Sequence, residues 1–168
     1  MRHGTYPRVS PSGARIARWY CKLGHCTFSL LPDCLAARLP GTLAEVEAVV
    51  STVEQAASLE AACALLRPDI ELPGILRWVR RRVRATHEAL NILIGLMPEY
   101  FTGCEPRLDA FAMRLGVTAP LPVLRQIGAP HLSFLPAPLG FRPPYVAGGE
   151  TKKDRQHCPG PDPPDVLA

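Results

Sequence analysis

The sequence predicts a mainly α fold: a short N-terminal β-hairpin, a helical bundle of helix-turn-helix type, and a Pro-rich flexible tail. Three observations lead there. Residues 3–31 read as short β-friendly runs separated by turn residues. From residue 43 to 97, apolar residues recur at three- and four-residue spacing, the period of an amphipathic helix. Eight prolines then fall between Pro136 and Pro164, among glycines and charged residues. The expected boundaries are 1–32 for the β segment, 33–135 for the helical domain and 136–168 for an extended or disordered tail. With 168 residues, 47% of them apolar, the chain can bury a helical core.

Thr5-Tyr6, Arg15 to Tyr20 and Thr27 to Leu30 are the expected strands, with a turn at Pro11-Ser12-Gly13. From Asp33 the pattern turns helical, and Pro40-Gly41 breaks it. Thr42 and Glu45 have capping-box spacing: the hydroxyl satisfies an orphan N–H and the carboxylate reaches back. Leu43, Val46, Val50, Val53 and Ala57 then make one apolar face, with Glu45, Glu47 and Glu54 mainly off it. Ser58 caps a second helix ending at Leu65 or Leu66, and Arg67-Pro68-Asp69 stops it. Pro73 suits the first turn of a third helix. Its stripe is Leu76, Val79, Val83, Thr86, Leu90, Leu93 and Met97, with Pro98 as the stop. Further helical pieces are expected from about Pro106 to Leu115, stopped by Gly116, and from Pro122 to Ile127.

Charge is distributed in blocks. Residues 1–40 carry six Lys/Arg against one Asp, 41–71 one Arg against six acids, and 72–90 five Arg against one Glu. The two basic blocks suit a polyanion partner, or are solvated surface. No apolar run reaches the roughly 18 residues of a membrane span. Met1 to Pro7 lacks the apolar run of a secretion signal, so a cytoplasmic chain with reduced thiols is expected. Cys34 and Cys63 lie in apolar helical patterns and are expected to be buried.

Trp19 to Asp33 holds the most specific chemistry. Cys21, His25 and Cys26 are spaced like one ligand knuckle of a zinc ribbon, with Gly24 allowing the turn. Zinc takes four ligands, and no upstream Cys-x-x-Cys supplies the others. His3 is the other nearby candidate. The chain as it stands is thus expected to hold no cofactor, with zinc expected only where the ribbon is completed. Otherwise the hairpin keeps its shape through Tyr6, Trp19 and Phe28.

His3-Gly4-Thr5-Tyr6, Arg15 to Cys21, and Thr27-Phe28-Ser29-Leu30-Leu31-Pro32 together resemble a bacterial transposase-like group of uncharacterised proteins. That group combines an N-terminal zinc ribbon with a helix-turn-helix. The resemblance is clearest over residues 3–33 and continues more loosely to about 86. It implies a helix-turn-helix over 58–86, with Ser58 to Leu66 as support and the helix from Leu72 as reader. Arg77, Trp78, Arg80, Arg81, Arg82 and Arg84 would then contact DNA, since arginine suits phosphate oxygens and guanine edges. Asp69 and Glu71 in the connection would repel the backbone.

No nucleophile elbow, phosphate loop or dinucleotide fingerprint occurs. Asp33, Asp69, Glu105 and Asp109 are scattered, and a Cys104 pair with His87 or His131 has no local signature. The sequence thus predicts a non-catalytic DNA-binding accessory or remnant protein of a transposable element. Two alternatives stand beside it. One is a helical interaction module without nucleic-acid binding, in which the stripes at 43–57 and 76–97 pair with each other or with a partner helix, as in a homodimer through the helices. The other is a decayed reading frame.

Overall fold

The computed structural model describes residues 1–68 and 71–143, apart from the side chains of Arg2 and His3. The candidate roles of Asp69 and His3, and the tail beyond 143, lie outside the described residues. Three strands, β1 (Arg2–Pro7), β2 (Arg15–Cys21) and β3 (Cys26–Leu30), form an antiparallel meander in that order. The β segment is therefore a three-stranded sheet rather than one hairpin. Gly4, at φ 98, sits where the β1–β2 register shifts, a backbone angle that suits glycine. Ile16 is the one core residue of the sheet among the described residues, and Trp19, Phe28 and Leu30 stay exposed. The sheet is tied to the helices by Arg8, whose guanidinium donates to the carbonyls of Ala36 and Leu39.

Residues 33–41 do not form the expected helix. Leu35 bridges Thr42, Leu35 to Ala37 and Leu39 are buried, and Arg38 adopts φ 57. Cys34 is correspondingly exposed, not buried; Cys63 is buried as expected. The apolar residues here fill the core as irregular chain, because Pro40 and Gly41 prevent a helix from running on to Leu43.

The helices are α1 (Leu43–Gln55), α2 (Leu59–Leu66), α3 (Leu72–Leu96), α4 (Pro98–Phe101), α5 (Leu108–Leu115) and α6 (Pro120–Ile127). The Thr42–Glu45 capping box is complete: Oγ1 accepts from the Glu45 N–H at 3.1 Å, and Glu45 Oε2 accepts from the Thr42 N–H at 2.7 Å. Ser58 Oγ caps α2 through the Ala61 N–H at 3.1 Å. Gly116 ends α5 in the left-handed conformation, φ 66. Ala57 lies beyond α1 and is exposed, so the α1 stripe is shorter than its spacing suggested.

Leu43, Val46 and Val50 of α1 meet Leu90 and Leu93 of α3, Phe101 of α4, Phe111 of α5, and Leu121 and Leu124 of α6 in one core. Val49, Cys63, Ile75 and Val79 form a smaller cluster joining α1, α2 and α3. The stripes of α1 and α3 thus pack largely within the chain, with Val53, Leu76 and Val83 half-buried.

α1 also organises the helices downstream. Neither α5 nor α6 has a side-chain cap of its own. Glu54 accepts from the Leu108 N–H at 3.1 Å, at the start of α5. Glu47 accepts from the Leu121 N–H at 2.8 Å, at the start of α6. Each carboxylate meets an orphan donor and the positive end of a helix dipole. These two acids are structural, not solvated. Burial holds the Glu47 carboxyl above its ordinary 4.5, and the bond from Leu121 offsets part of that rise.

Residues 136–143 are not flexible tail. Pro136, Pro138, Leu139 and Gly140 are buried, and the segment crosses the molecule as a strap. Arg125, itself buried, donates to the Leu139 carbonyl at 2.6 Å, and the Ala37 N–H donates to the Pro138 carbonyl at 2.8 Å. Proline lacks a donor, which suits a strap held through its carbonyls.

Three outcomes follow for thermal unfolding monitored by circular dichroism. At acidic pH, where the carboxyl is protonated, Glu47→Gln retains the acceptor and keeps the melting temperature, whereas Glu47→Ala orphans the Leu121 N–H and costs about 1–3 kcal/mol. A carboxyl with a raised folded pKa binds its proton more firmly folded than unfolded, so its contribution declines as pH rises from 4.5 through the folded value. Glu47→Gln removes that decline. Gly140→Ala places a methyl against the backbone carbonyls of Leu132 and Leu135, and lowers stability by about 1–3 kcal/mol.

Candidate nucleic-acid interface

α3 is 25 residues long and turns 100° per residue, so its arginines cannot share one environment. Its buried row is Ile75, Val79, Arg82, Thr86, Ala89, Leu90 and Leu93. Relative to the expected stripe, Ile75, Arg82 and Ala89 have turned inward, while Leu76 and Val83 are half-buried. Arg77, Arg80, Arg81 and Arg84 occupy the opposite arc and are exposed.

Arg82 is instead turned into the protein. It is 5% exposed, and its guanidinium carbon lies 3.9 Å from the centroid of the Trp78 ring. One terminal nitrogen donates to the Pro40 carbonyl at 3.3 Å; the other has no partner among the described residues. Burial, followed by the fields of Arg81 and Arg67, lowers its pKa to about 10. Trp78 is also committed. Half-buried against the Val49–Cys63–Ile75–Val79 cluster, it receives Arg67 at 5.4 Å as well as Arg82. Its ring serves as packing and cation–π surface.

The three remaining arginines nearest the strap line a groove of about 840 Å³. Arg80, Arg81 and Arg84 come from α3, Arg38 from the turn before α1, and Arg142 from the strap. Leu39, Ala85, Pro136 and Ala137 supply its apolar surface, and Glu88 is its one acid. Glu88 is paired with Arg142 at 2.9 Å. Among the described residues no carboxylate lies within salt-bridge range of Arg80, Arg81 or Arg84. The acids of α1 do not neutralise them, since Glu45, Glu47 and Glu54 each cap a helix. Arg77 is exposed but outside the groove lining.

Arg38 and Arg142 were not legible as site residues. They stand about a hundred positions apart, and one falls in what reads as tail. Their meeting depends on the bond from Arg38 Nε to the Phe141 carbonyl, 3.0 Å.

At the far tip of the sheet, Cys21 and Cys26 are register partners across β2 and β3, so their side chains share one face. Both thiols are free. The Gly24 N–H donates to Cys21 Sγ at 3.4 Å. His25 instead has its Nδ1 3.1 Å from the Tyr20 hydroxyl. Tyr20 precedes Cys21 on the strand and so faces the other side of the sheet. The three candidate ligands are therefore split two to one. Among the described residues, no group of three His, Cys, Asp or Glu side chains is placed to hold a metal ion.

The Cys–His pairs are not assembled. His87 Nε2 lies 2.8 Å from Glu54 Oε1, and neither His87 nor His131 bonds Cys104 among the described residues. Burial pushes the Cys104 thiol up, which weakens it as a nucleophile.

No helix among the described residues is long and apolar enough to cross a membrane. No protein-family model matches the chain, and no curated protein or solved structure matches it.

Replacing Arg82 separates its charge from its packing. Arg82→Met keeps the length of the side chain and removes a desolvated charge, so stability is unchanged or higher. Arg82→Ala leaves a void beneath Trp78 and lowers stability by about 2–4 kcal/mol. Thermal melts of the two variants read the difference.

Proposed function

We propose that this chain is a non-catalytic DNA-binding protein that engages the phosphate backbone through the groove between α3 and the strap. One observation carries the reading: five arginines from three separate segments line a single groove whose sole acid is already paired. Like charges gathered this closely repel one another in the free protein, and a polyanion relieves that repulsion.

The groove also modifies the helix-turn-helix expectation. α2 and α3 do pack as consecutive helices with a short connection. However, the strap and the Arg38–Leu39 turn flank α3 where Arg80, Arg81 and Arg84 emerge. A helix that reads base edges must project into the major groove. Here the arginines form a wall, which favours phosphate contacts over base readout. Association with a mobile element rests on the resemblance of residues 3–33 and carries no part of this argument.

Binding to a short duplex is expected to weaken with salt, with a slope near −2.7 in log K against log salt if about three phosphates are neutralised. The triple variant Arg80→Ala, Arg81→Ala, Arg84→Ala is expected to lose at least about tenfold in affinity at low salt and most of that slope. Arg77→Ala, outside the groove, has the smaller effect. Anisotropy titrations at several salt concentrations check both, and a triple variant that binds like the parent sinks the proposal.

A further inference from the structure

The two faces of the sheet differ. Register pairing sets Ile16, Arg18 and Tyr20 on one face with Tyr6. That face is engaged: Ile16 is buried, Arg18 lies over the Tyr6 ring at 5.7 Å, and the Tyr20 hydroxyl meets His25. The opposite face holds Trp19 and Phe28, register partners on neighbouring strands, with Leu30 opposite Ala17. Trp19, Phe28 and Leu30 are 40%, 53% and 58% exposed. Cross-strand partners hold their Cβ atoms about 5 Å apart, so the two rings rise from adjacent points of the face. Aromatic surface gathered in water is costly, and a contiguous exposed patch of this kind marks an interaction surface.

The charge around the patch narrows what it fits. Residues 1–32 contain five Lys/Arg and no Asp or Glu. Arg15 shares the face of Trp19, and its Nε donates to Thr5 Oγ1 at 3.0 Å, which holds the guanidinium on the β1 side of the patch. Lys22 is exposed at the tip, next to Cys21. Among the described residues, neither cation has a carboxylate within salt-bridge range. Two exposed rings in an acid-free, cationic surround fit a partner with flat apolar groups on an anionic backbone. An unpaired nucleic-acid strand has that chemistry: its bases stack on aromatic side chains while its phosphates meet Lys and Arg. A duplex does not, because its base faces are stacked inside the helix. A protein partner covers an apolar patch without needing rings or a surround free of acids.

We infer that the face of Trp19, Phe28 and Leu30 binds a single strand of DNA, with one base stacked on each ring and the flanking phosphates on Arg15 and Lys22. The choice of DNA rests on the reading of the arginine groove as a DNA-binding surface; the stacking uses no residue of that groove. Telling RNA from DNA needs a side chain that meets the 2′-hydroxyl. The hydroxyl that this face offers, on Thr5, is already bonded to Arg15. The sheet thus supplies a contact of a different kind from the groove, made to bases rather than phosphates alone.

The test titrates the full chain at low salt with an oligothymidylate of about eight nucleotides, a length within the range that such surfaces cover. Anisotropy of a labelled strand gives affinity, and tryptophan emission reports contact. The chain has two tryptophans, and Trp78 is half-buried beneath Arg82, so quenching by a stacked base is read at Trp19. The parent is expected to bind with quenching. Trp19→Phe keeps a ring, so it binds within about threefold of the parent and loses the quenching. Trp19→Leu and Phe28→Leu keep an apolar side chain but no ring, and each lowers affinity about tenfold. Both positions are exposed, so these variants fold as the parent does, which circular dichroism checks. The triple variant Arg80→Ala, Arg81→Ala, Arg84→Ala weakens duplex binding yet is still quenched by saturating oligothymidylate, so the groove and the sheet face fail separately. Leucine variants that bind like the parent overturn the inference, as does a bound strand that leaves Trp19 emission unchanged. A duplex of the same length that quenches Trp19 as fully overturns it too, since unpaired bases are then not needed. An oligouridylate that binds more tightly assigns the face to RNA instead. Light scattering that shows a dimer in the parent and a monomer in Trp19→Leu assigns it to a second copy, and also overturns the inference.

Discussion

Two carboxylates on one helix hold the molecule together downstream of it. Glu47 and Glu54 are two turns apart on α1, and each accepts the first free N–H of a helix that has no cap of its own. A helix start buried without an acceptor is costly, because its amides lose water and gain nothing. α5 and α6 therefore take their positions from α1. The consequence travels further. One turn beyond the Leu121 amide, Arg125 reaches out from α6 to the Leu139 carbonyl and fixes the strap. The strap then brings Arg142 beside Arg80, Arg81 and Arg84. A glutamate on the first helix thus supports an arginine near the end of the described chain.

α3 divides its cations between two tasks. Arg82 faces inward, stacks on Trp78 and bonds the Pro40 carbonyl, so its charge is spent on joining the turn before α1 to the long helix. Arg80, Arg81 and Arg84 face outward around the groove. The difference between neighbours at 81 and 82 is one step of 100°. It separates a guanidinium held by a ring from one that meets solvent.

Much of the local structure was legible. Thr42, Ser58, Pro73 and Gly116 mark helix ends by short-range chemistry, and each acts where its residue type suggests. The strands of the sheet were legible for the same reason. The errors have a common cause. Residues 33–41 and 136–143 are apolar or Pro-rich segments whose order comes from carbonyls and side chains distant in sequence, such as Arg8 to Ala36 and Arg125 to Leu139. Arg82 reads as exposed because five arginines in one short run look like one surface, and a partner such as Pro40 leaves no local trace.

The sequence by itself determined the strands, most of the helices, the local ends at Thr42, Ser58, Pro73 and Gly116, and the presence of a basic helix, since propensity, capping and charge act within a few residues. It also determined that Cys21 and Cys26 bracket a tight turn. Only the tertiary structure decided which arginines reach solvent, that Arg38 and Arg142 join them, and that the two thiols face away from His25. Those outcomes depend on which side of an element is buried, and burial is set by distant neighbours that no local pattern encodes.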